Sequence, residues 1–272
     1  MNDTGLYHEH SNDLIRLWNK AITSIWGKEG QAEWYEYSMR RMLVYGALLR
    51  QCQVQPEGIL YIGAHSGSLL WVWLLLGFRN VLMVEPQPDV FQGLERNARV
   101  SSALSLAYDE FLGSPTPTQI QVAQCAVDDH DGEEDLFVLS SSGLSSLQKP
   151  TEGALHQWKA EEQVSGVDRV KVPVRTLDSL LRELAGAGGS GRYNVLYMNI
   201  QGAELKALRG AVQTLRTLDF IYLEKNFDVR YEGTPLSEEL DAFLREYGFE
   251  AHWGMKQTSL GNGYTAYARK PR

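Results

Sequence analysis

The alternation of apolar strand patterns with helical patterns constrains the fold of this chain more than any other feature. It begins after Pro56 and continues to the C-terminal region. Strands are predicted at 59–64, 80–84, 119–127, 193–200 and 220–224, and helices at 66–76, 88–103, 177–184, 203–215 and 236–247. Repeated strand–helix–strand units place their strands parallel in one sheet, joined by right-handed crossovers. The sequence therefore predicts an α/β domain with a largely parallel sheet.

Two regions depart from this alternation. Apolar residues at helical spacing in 11–28 and 31–53 predict a helical N-terminal extension, residues 1–55, which Pro56 and the glycine that follows it end. The polar segment 140–168 lies between strand patterns, and we interpret it as a lid-like insertion within one domain, residues 56–272.

The end of the chain predicts an antiparallel edge to the sheet. Two strand patterns, at about 249–255 and 263–269, are joined by a loop that contains Gly261, Asn262 and Gly263. A short loop rich in glycine and asparagine between two such patterns is typical of a hairpin.

Length and charge exclude several classes of protein. A chain of 272 residues fits one large α/β domain, and its net charge of −8 argues against nucleic acid as a partner. Two cysteines and histidines without ligand spacing predict neither a disulfide framework nor a metal site. The longest apolar run, 69–78, is about half a membrane span, and the N-terminus lacks a signal-peptide pattern. We therefore expect a cytoplasmic protein that does not associate with membranes.

The first chemistry-bearing segment is the turn that follows the first predicted strand. Here Tyr61 precedes Gly63 and Gly67, and a helical pattern follows. Glycines let a ligand approach the backbone closely, and a helix N-terminus offers unpaired N–H groups. The G-x-x-x-G spacing differs from the G-x-G-x-x-G of dinucleotide binders, which argues against a nicotinamide oxidoreductase. A plain strand–helix turn is the alternative.

Polar residues follow two more predicted strands. Glu85 comes about twenty residues after the first glycine, where a carboxylate can accept hydrogen bonds from both ribose hydroxyls, and Pro86 turns the chain outward. Asn199 and Gln201 lie at the carboxyl end of the fourth parallel strand, the edge at which open α/β sheets bind ligands. A solvated charge at Glu85 and a simple turn at Gln201 are the alternatives.

From about Ile59 to Lys270 the chain resembles FkbM-type methyltransferases. The resemblance rests on segments in the family's order, namely ILYIGAHSGS, VEPQPDVFQGLERN, VAQCAVDDHDGEEDLFVL, SGLSSL, VPVRTLDSLL, LYMNIQGAELKALRGA, DFIYLEKNFDVRYEG and the ending GFEAHWGM with GNGYTAYARK. It implies a Rossmann-like class I methyltransferase fold with a seven-stranded, mostly parallel sheet and an antiparallel edge strand. It also implies S-adenosylmethionine as cofactor and biosynthetic O-methylation of a natural-product, polyketide or sugar hydroxyl.

The resemblance further implies roles for individual residues. Glu85, with Pro86 beside it, would bind the ribose, and Asn199 and Gln201 would lie near the sulfonium. The methionine part of the cofactor would be lined by Gly63, Ala64, His65 and Gly67, and the adenine would be flanked by Cys125, Ala126 and Val127.

Two departures from the family pattern bear on catalysis. Tyr61 and Asn199 stand where the family usually has aspartate, which removes negative charge near the sulfonium. They motivate an alternative, a catalytically inactive S-adenosylmethionine-binding partner or regulatory protein.

A hydroxyl acceptor must lose its proton, and general-base help contributes about 10²–10⁴-fold. The candidate bases are Glu224, at the end of the fifth strand, Glu204, at the start of a helix, and His65, whose ordinary pKa lies near neutral pH. Asn199 joins the catalytic candidates through its expected place near the sulfonium. Glu204 could instead stabilise the helix dipole. The oligomeric state stays open, with the N-terminal helices as one surface for a homodimer.

Overall fold

The computed structural model describes residues 31–112, 117–187, 191–254 and 262–270. The strands are β1 Gly58–Ile62, β2 Asn80–Val84, β3 Gln119–Ala123, β4 Ala126–Val127, β5 Gly132–Leu139, β6 Val167–Arg175, β7 Val195–Met198, β8 Phe220–Asn226, β9 Phe249–Gly254 and β10 Asn262–Arg269. The helices are α1 Gln31–Gln51, α2 Leu70–Leu75, α3 Pro88–Leu112, α4 Glu152–Ala160, α5 Leu177–Gly186, α6 Glu204–Arg209 and α7 Ser237–Glu246.

Seven of these strands form the main sheet, in the order β3-β2-β1-β7-β8-β10-β9. The pairs β1–β2, β2–β3, β1–β7 and β7–β8 are parallel, whereas β10 is antiparallel to both β8 and β9. The predicted α/β fold, with its mostly parallel sheet and antiparallel edge, is confirmed. The strand order reverses between β1 and β7, and at such a switch point the connecting segments diverge and leave a crevice.

The central strands are buried on both faces. On one face of the sheet, Ile59 and Tyr61 pack against side chains of α1, α2 and α3. On the other face, Leu60 and Ile62 pack against α5, α6 and α7. Every residue of β1 and β8 is buried. A parallel sheet covered by helices on both faces requires apolar runs of this kind, which is why these strands were recognisable in the sequence.

The predicted strand 119–127 is wrong as a single element. Its first part is β3 in the main sheet, but β4 pairs with β6 in a second, three-stranded sheet of order β4-β6-β5. Gln124 and Cys125 connect the two sheets, and Cys125 is buried. The strand pattern of residues 119–127 continues through this crossing, so the pattern gave no sign of the break.

Several boundaries differ from the sequence prediction. The helix predicted at 66–76 begins only at Leu70, because the chain first makes a turn at 65–69, and the helix predicted at 88–103 continues to Leu112. The helix predicted at 203–215 stops at Arg209, and a short 3₁₀ turn follows at Thr214–Arg216. Gly210 follows the helix at a position where a side chain does not fit, since a Cβ there would lie 2.1 Å from the carbonyl oxygen of Asp128.

The N-terminal extension and the insertion are only partly described. Helix α1 confirms the pattern at 31–53, while the helix predicted at 11–28 lies outside the described residues, as does most of the predicted C-terminal loop. The insertion contains a 3₁₀ turn, Ser142–Leu144, and α4, whose Trp158 packs against Tyr231 at 5.7 Å between ring centroids. Within the described ranges, the chain forms no helix with the length and apolar character that a membrane crossing requires.

Candidate functional site

A cavity of about 440 Å³ opens at the switch point of the main sheet, within the size range of small-molecule sites. Its wall is built from the turn after β1, the end of β2, the segment Cys125–Val127, the first part of the insertion and the residues that follow β7. We call the side with Gly63, His65 and Glu85 the turn end. We call the side with Asn199, Gln201 and Tyr264 the amide end.

Backbone geometry shapes the turn end. Gly63 has φ +73°, and a Cβ on it would lie 2.0 Å from the carbonyl oxygen of Asn199, so no other residue fits. The N–H groups of Gly63 and Ala64 both donate to the carbonyl of Val84 at 3.0 Å. His65 is also left-handed, with φ +52°, which is uncommon for a residue with a side chain and marks a constrained site.

Of the four residues expected around the methionine part, two reach the cavity. Gly63 and His65 line its wall, whereas Ala64 and Gly67 do not. Ala64 is fully buried, and Gly67, with φ +80°, packs against Leu94. The conformation of Gly67 shapes the turn without placing the residue on the wall.

Glu85 lies on the wall, only 7 % exposed, with Pro86 beside it. Its Oε2 accepts a hydrogen bond from the His65 N–H at 2.9 Å, and its Oε1 accepts one from the Gln87 N–H at 3.0 Å. Burial raises the pKa of the carboxyl, and the two backbone N–H groups lower it. Each carboxylate oxygen can accept more than one hydrogen bond, so both keep capacity for a ligand hydroxyl.

An apolar patch continues from Glu85. Cys125, Ala126 and Val127 all line the cavity, and Leu136 lines it as well. Burial raises the pKa of the Cys125 thiol to about 12, so it stays neutral and behaves as a small apolar group. Such a wall suits a flat, uncharged ring.

The first part of the insertion, residues 140–147, borders the cavity, whereas α4 packs elsewhere. Two contacts tie it to the two ends of the cavity. His65 Nε2 lies 2.8 Å from Ser142 Oγ at the turn end, and Ser146 Oγ donates to the carbonyl of Gln201 at 2.8 Å at the amide end.

A hydrogen-bonded network of side chains forms the amide end. Gln201, left-handed with φ +54°, donates from Nε2 to Asn199 Oδ1 at 2.6 Å and to Glu224 Oε2 at 2.9 Å. Asn199 Nδ2 donates to the Tyr264 hydroxyl at 2.7 Å, and Tyr231 donates to Gln201 Oε1 at 3.3 Å. Asn199, Gln201 and Tyr264 therefore present polar groups to the cavity in fixed orientations.

Neither Glu224 nor Glu204 lines the cavity. Glu224 is 3 % exposed and lies behind Gln201; its other oxygen accepts from Asn262 Nδ2 at 2.8 Å. Burial, followed by the nearby charge of Glu204, raises its pKa to about 8. Glu204 accepts from the N–H groups of Ile200 and Gly202 at 3.0 and 2.9 Å, so its carboxyl holds the turn after β7.

His65 is the one candidate base that borders the cavity directly. Burial lowers the pKa of its imidazole, which therefore stays neutral at physiological pH. Its ring is already paired with Ser142, and its backbone N–H with Glu85. The sequence predicted a lid-like insertion at 140–168, but it did not place Tyr264 or residues 140–147 beside Asn199 and Gln201, because they come from distant parts of the chain.

A possible metal-ligand group lies off the cavity wall. Asp128, Asp129 and His130 bring three ligand atoms within 4.8 Å of one another. The His130 ring instead contacts the carboxylates of Asp129 and Glu134, and Lys206 Nζ lies 4.0 Å from Asp128. The expectation that the protein holds no metal stays a prediction.

The sheet order, the glycine turn after β1, the carboxylate after β2 and the cavity at the switch point together define a Rossmann-like, nucleoside-binding domain of the class I methyltransferase type. The model of the methyltransferase FkbM domain matches residues 62–251, and the chain belongs to this family. S-adenosylmethionine is the cofactor of the family.

Several solved structures are similar to the chain at low identity. The methyltransferase FkbM from Methylobacillus flagellatus KT is 14 % identical, with a TM-score of 0.48, over 79 % of this chain and 44 % of that one. Magnesium protoporphyrin IX methyltransferase from Synechocystis PCC 6803, with bound S-adenosylmethionine, is 10 % identical, with a TM-score of 0.43, over 99 % and 98 %. The ribosomal protein L11 methylase from Lactobacillus delbrueckii subsp. bulgaricus is 13 % identical, with a TM-score of 0.42, over 85 % and 79 %.

The chain thus spans less than half the length of the Methylobacillus flagellatus protein. No curated protein matches its sequence.

Proposed function

We propose that this chain transfers the methyl group of S-adenosylmethionine to a hydroxyl oxygen of a small, uncharged acceptor, such as a natural product, polyketide or sugar. The observation that carries the proposal is one cavity at the switch point with two unlike ends. Its turn end combines a buried carboxylate, Glu85, with the apolar patch of Cys125, Ala126 and Val127. Its amide end offers hydrogen-bonding groups.

The residues of the turn end fit the cofactor. Glu85 is held by two backbone N–H groups and retains acceptor capacity for the ribose hydroxyls. The apolar patch suits the adenine, and Gly63 keeps the turn clear of a side chain. When bound, S-adenosylmethionine supplies a methyl group made electrophilic by positive sulfur, so the protein's part is mainly to position the acceptor and exclude water.

The wall chemistry supports an uncharged acceptor. Among its described residues, the wall carries neither lysine nor arginine, so an anionic acceptor would lose hydration without gaining a counter-charge. Neutral hydrogen-bonding groups are abundant, from Asn199, Gln201 and the serines at 140, 141, 142, 145 and 146. These groups suit a hydroxylated molecule, and we propose that residues 140–147 cover it as a lid.

The test is transfer of isotope-labelled methyl from S-adenosylmethionine to two matched acceptor panels, one of neutral hydroxylated molecules and one of carboxylates. We expect label only in the first panel. Binding of S-adenosylhomocysteine without transfer to any acceptor would favour the alternative, a catalytically inactive cofactor-binding protein. If calorimetry detects neither cofactor nor product binding, the whole proposal fails.

Three further expectations remain proposals. The acidic charge argues for a partner other than nucleic acid, and we propose a cytoplasmic location as well. A homodimer through the N-terminal helices would involve residues outside the described ranges.

A further inference from the structure

Among the described residues, the amide end carries neither a carboxylate nor an imidazole on its wall to act as a base in the proposed reaction. Glu224 carries a carboxyl that can accept a proton, but it does not reach the cavity, because Gln201 lies between them. His65 has access but lies at the turn end, where its backbone N–H binds Glu85 and its ring contacts Ser142. The acceptor proton therefore needs another route from the amide end.

Tyr264 connects the cavity to Glu224. It lines the wall, and it stands directly opposite Glu224 in the register of β10 on β8. Its hydroxyl lies close enough to Glu224 to lower the pKa of that carboxyl. Asn199 Nδ2 donates to the same hydroxyl at 2.7 Å, so the tyrosine oxygen accepts from Asn199 and its own proton must point elsewhere.

The surrounding residues hold this pair in place. Gln201 bridges Asn199 and Glu224 with two hydrogen bonds from one amide nitrogen, so a chain of side-chain hydrogen bonds runs from Tyr264 through Asn199 and Gln201 to Glu224. The Tyr264 ring stacks on Tyr222 at 5.4 Å, and Arg41 lies over it at 5.9 Å from the centroid. Burial raises the pKa of Tyr264 well above its ordinary value, so the phenol is neutral before reaction.

We propose that Tyr264 is a catalytic residue that passes the acceptor proton to Glu224. As the acceptor oxygen bonds to the methyl carbon, its proton moves to the Tyr264 oxygen, and the Tyr264 proton moves to the Glu224 carboxylate. The carbon–sulfur bond breaks with its electron pair left on sulfur, so charge and atoms balance. Glu224 returns its proton to solvent after product release. This inference rests on the proposed function and assigns its proton acceptor.

The groups that face Glu224 set its protonation. Gln201 and Asn262 donate to its two oxygens, while Glu204, Tyr264 and Arg230 act on it from neighbouring segments. Because burial and Glu204 raise its pKa to about 8, Glu224 is mostly protonated at neutral pH and becomes available as a base above it. The proposal therefore requires a rate that rises with pH through this range.

The experiment measures kcat, KM and the pH profile of kcat for wild type, Tyr264→Phe, Glu224→Gln and Tyr193→Phe, with an acceptor found by the labelling assay. We expect Tyr264→Phe and Glu224→Gln each to lower kcat by about 10²–10⁴-fold, with S-adenosylhomocysteine affinity little changed. Both should lose the rise of kcat with pH. The double variant should be little worse than either single one, because the two residues act as a unit.

Tyr193→Phe is the matched control, because it removes a tyrosine hydroxyl that donates to Gln121 and does not line the cavity wall. It should keep the rate and the pH profile of wild type. A loss of kcat in His65→Asn but not in Tyr264→Phe would overturn the proposal, and so would an unchanged pH profile in Glu224→Gln.

An acceptor-free measurement guards against a folding defect. The Tyr264 hydroxyl lowers the pKa of Glu224, so Tyr264→Phe should raise that pKa. The loss of unfolding free energy that accompanies ionisation of Glu224 should then extend to higher pH. No movement would also count against the relay. Binding of S-adenosylhomocysteine with no methyl transfer to any acceptor in either panel would defeat the proposed function instead, and the two failures are therefore distinguishable.

Discussion

The two ends of the cavity each depend on one buried glutamate, but the two are held by different kinds of donor. Glu85 accepts from two backbone N–H groups, whereas Glu224 accepts from the side-chain amides of Gln201 and Asn262. Backbone donors cannot rotate or become acceptors, while an amide can offer either its oxygen or its nitrogen. The turn end is therefore built for a carboxylate, and the amide end tolerates a protonated carboxyl.

The same contrast applies to the backbone. Each end contains one non-glycine residue in the left-handed region, His65 with φ +52° and Gln201 with φ +54°. The first directs its N–H to Glu85, and the second directs its side chain to Glu224. His65 thus completes a carboxylate site that faces the ligand. Gln201 completes a network of side chains, of which Asn199, Gln201 and Tyr264 line the cavity and Glu224 does not.

The largest expected effect is at the contact that joins the two ends. Gly63→Ala places a Cβ about 2 Å from the Asn199 carbonyl oxygen and requires an unfavourable φ. We expect a loss of roughly 4 kcal/mol or more in unfolding free energy and no detectable S-adenosylhomocysteine binding. Denaturant unfolding and calorimetry measure both. Gly93→Ala is the control, since a Cβ there meets nothing within 4 Å and should stabilise α3 by about 0.5–1 kcal/mol.

Next is the turn-end carboxylate. Glu85→Gln replaces one acceptor by a donor that faces a backbone N–H, so we expect S-adenosylhomocysteine to bind about 30-fold more weakly, which corresponds to about 2 kcal/mol. Titration calorimetry measures the affinity. Glu95→Gln, on the outer side of α3, should bind like wild type. Equal affinity in Glu85→Gln would remove the ribose role from Glu85.

The corresponding change at the amide end should act through pH. Because the folded-state pKa of Glu224 is raised to about 8, its contribution to stability is present at low pH and is lost as pH rises from its ordinary value through 8. Within that window, the one proton that the folded protein retains makes the free energy of unfolding fall by about 1.4 kcal/mol for each pH unit. We expect Glu224→Gln to flatten this loss and to be the more stable protein at pH 8. Denaturant unfolding from pH 5 to 8 tests it, and parallel curves would refute it.

The smallest effect concerns the lid. Ser142→Ala removes one hydrogen bond to His65 Nε2, worth about 1 kcal/mol, and so should speed S-adenosylhomocysteine release about fivefold with little change in its association rate. Stopped-flow displacement gives both rates. Ser165→Ala, away from the cavity wall, is the control. Slower association with unchanged release would mean that residues 140–147 do not close over the ligand.

Sequence patterns predicted the fold well, because it depends on local signals. The same signals brought Gly63, His65 and Glu85 of the turn end together, but Ala64 and Gly67 lie off the cavity wall. The apolar runs of β1, β2 and β8 matched their strands closely, and Glu85 could be placed from its distance to Gly63 along the chain. The chain's place in the FkbM family followed from several such segments in order, and the family model confirms it over 62–251.

The amide end was harder to predict. Glu224 was predicted at a strand end, but the strand continues to Asn226, and every residue of β8 is buried, so periodicity could not reveal which side chains face the cavity. Tyr264 contacts Asn199 across 65 residues of chain, and no spacing rule predicts such a pair. The break between β3 and β4 was missed because residues 119–127 match one strand pattern, whereas distant partners decide which sheet each half joins.

By itself, the sequence determined the parallel α/β architecture, the glycine turn and the carboxylate after β2, because hydrophobic periodicity and backbone conformation depend on near neighbours in the chain. Only the tertiary structure decided which polar groups face the cavity. That choice depends on how β8 and β10 register and on how residues 140–147 fold back over the sheet edge. Contacts between distant segments are set by packing of the whole domain, and local patterns do not encode them.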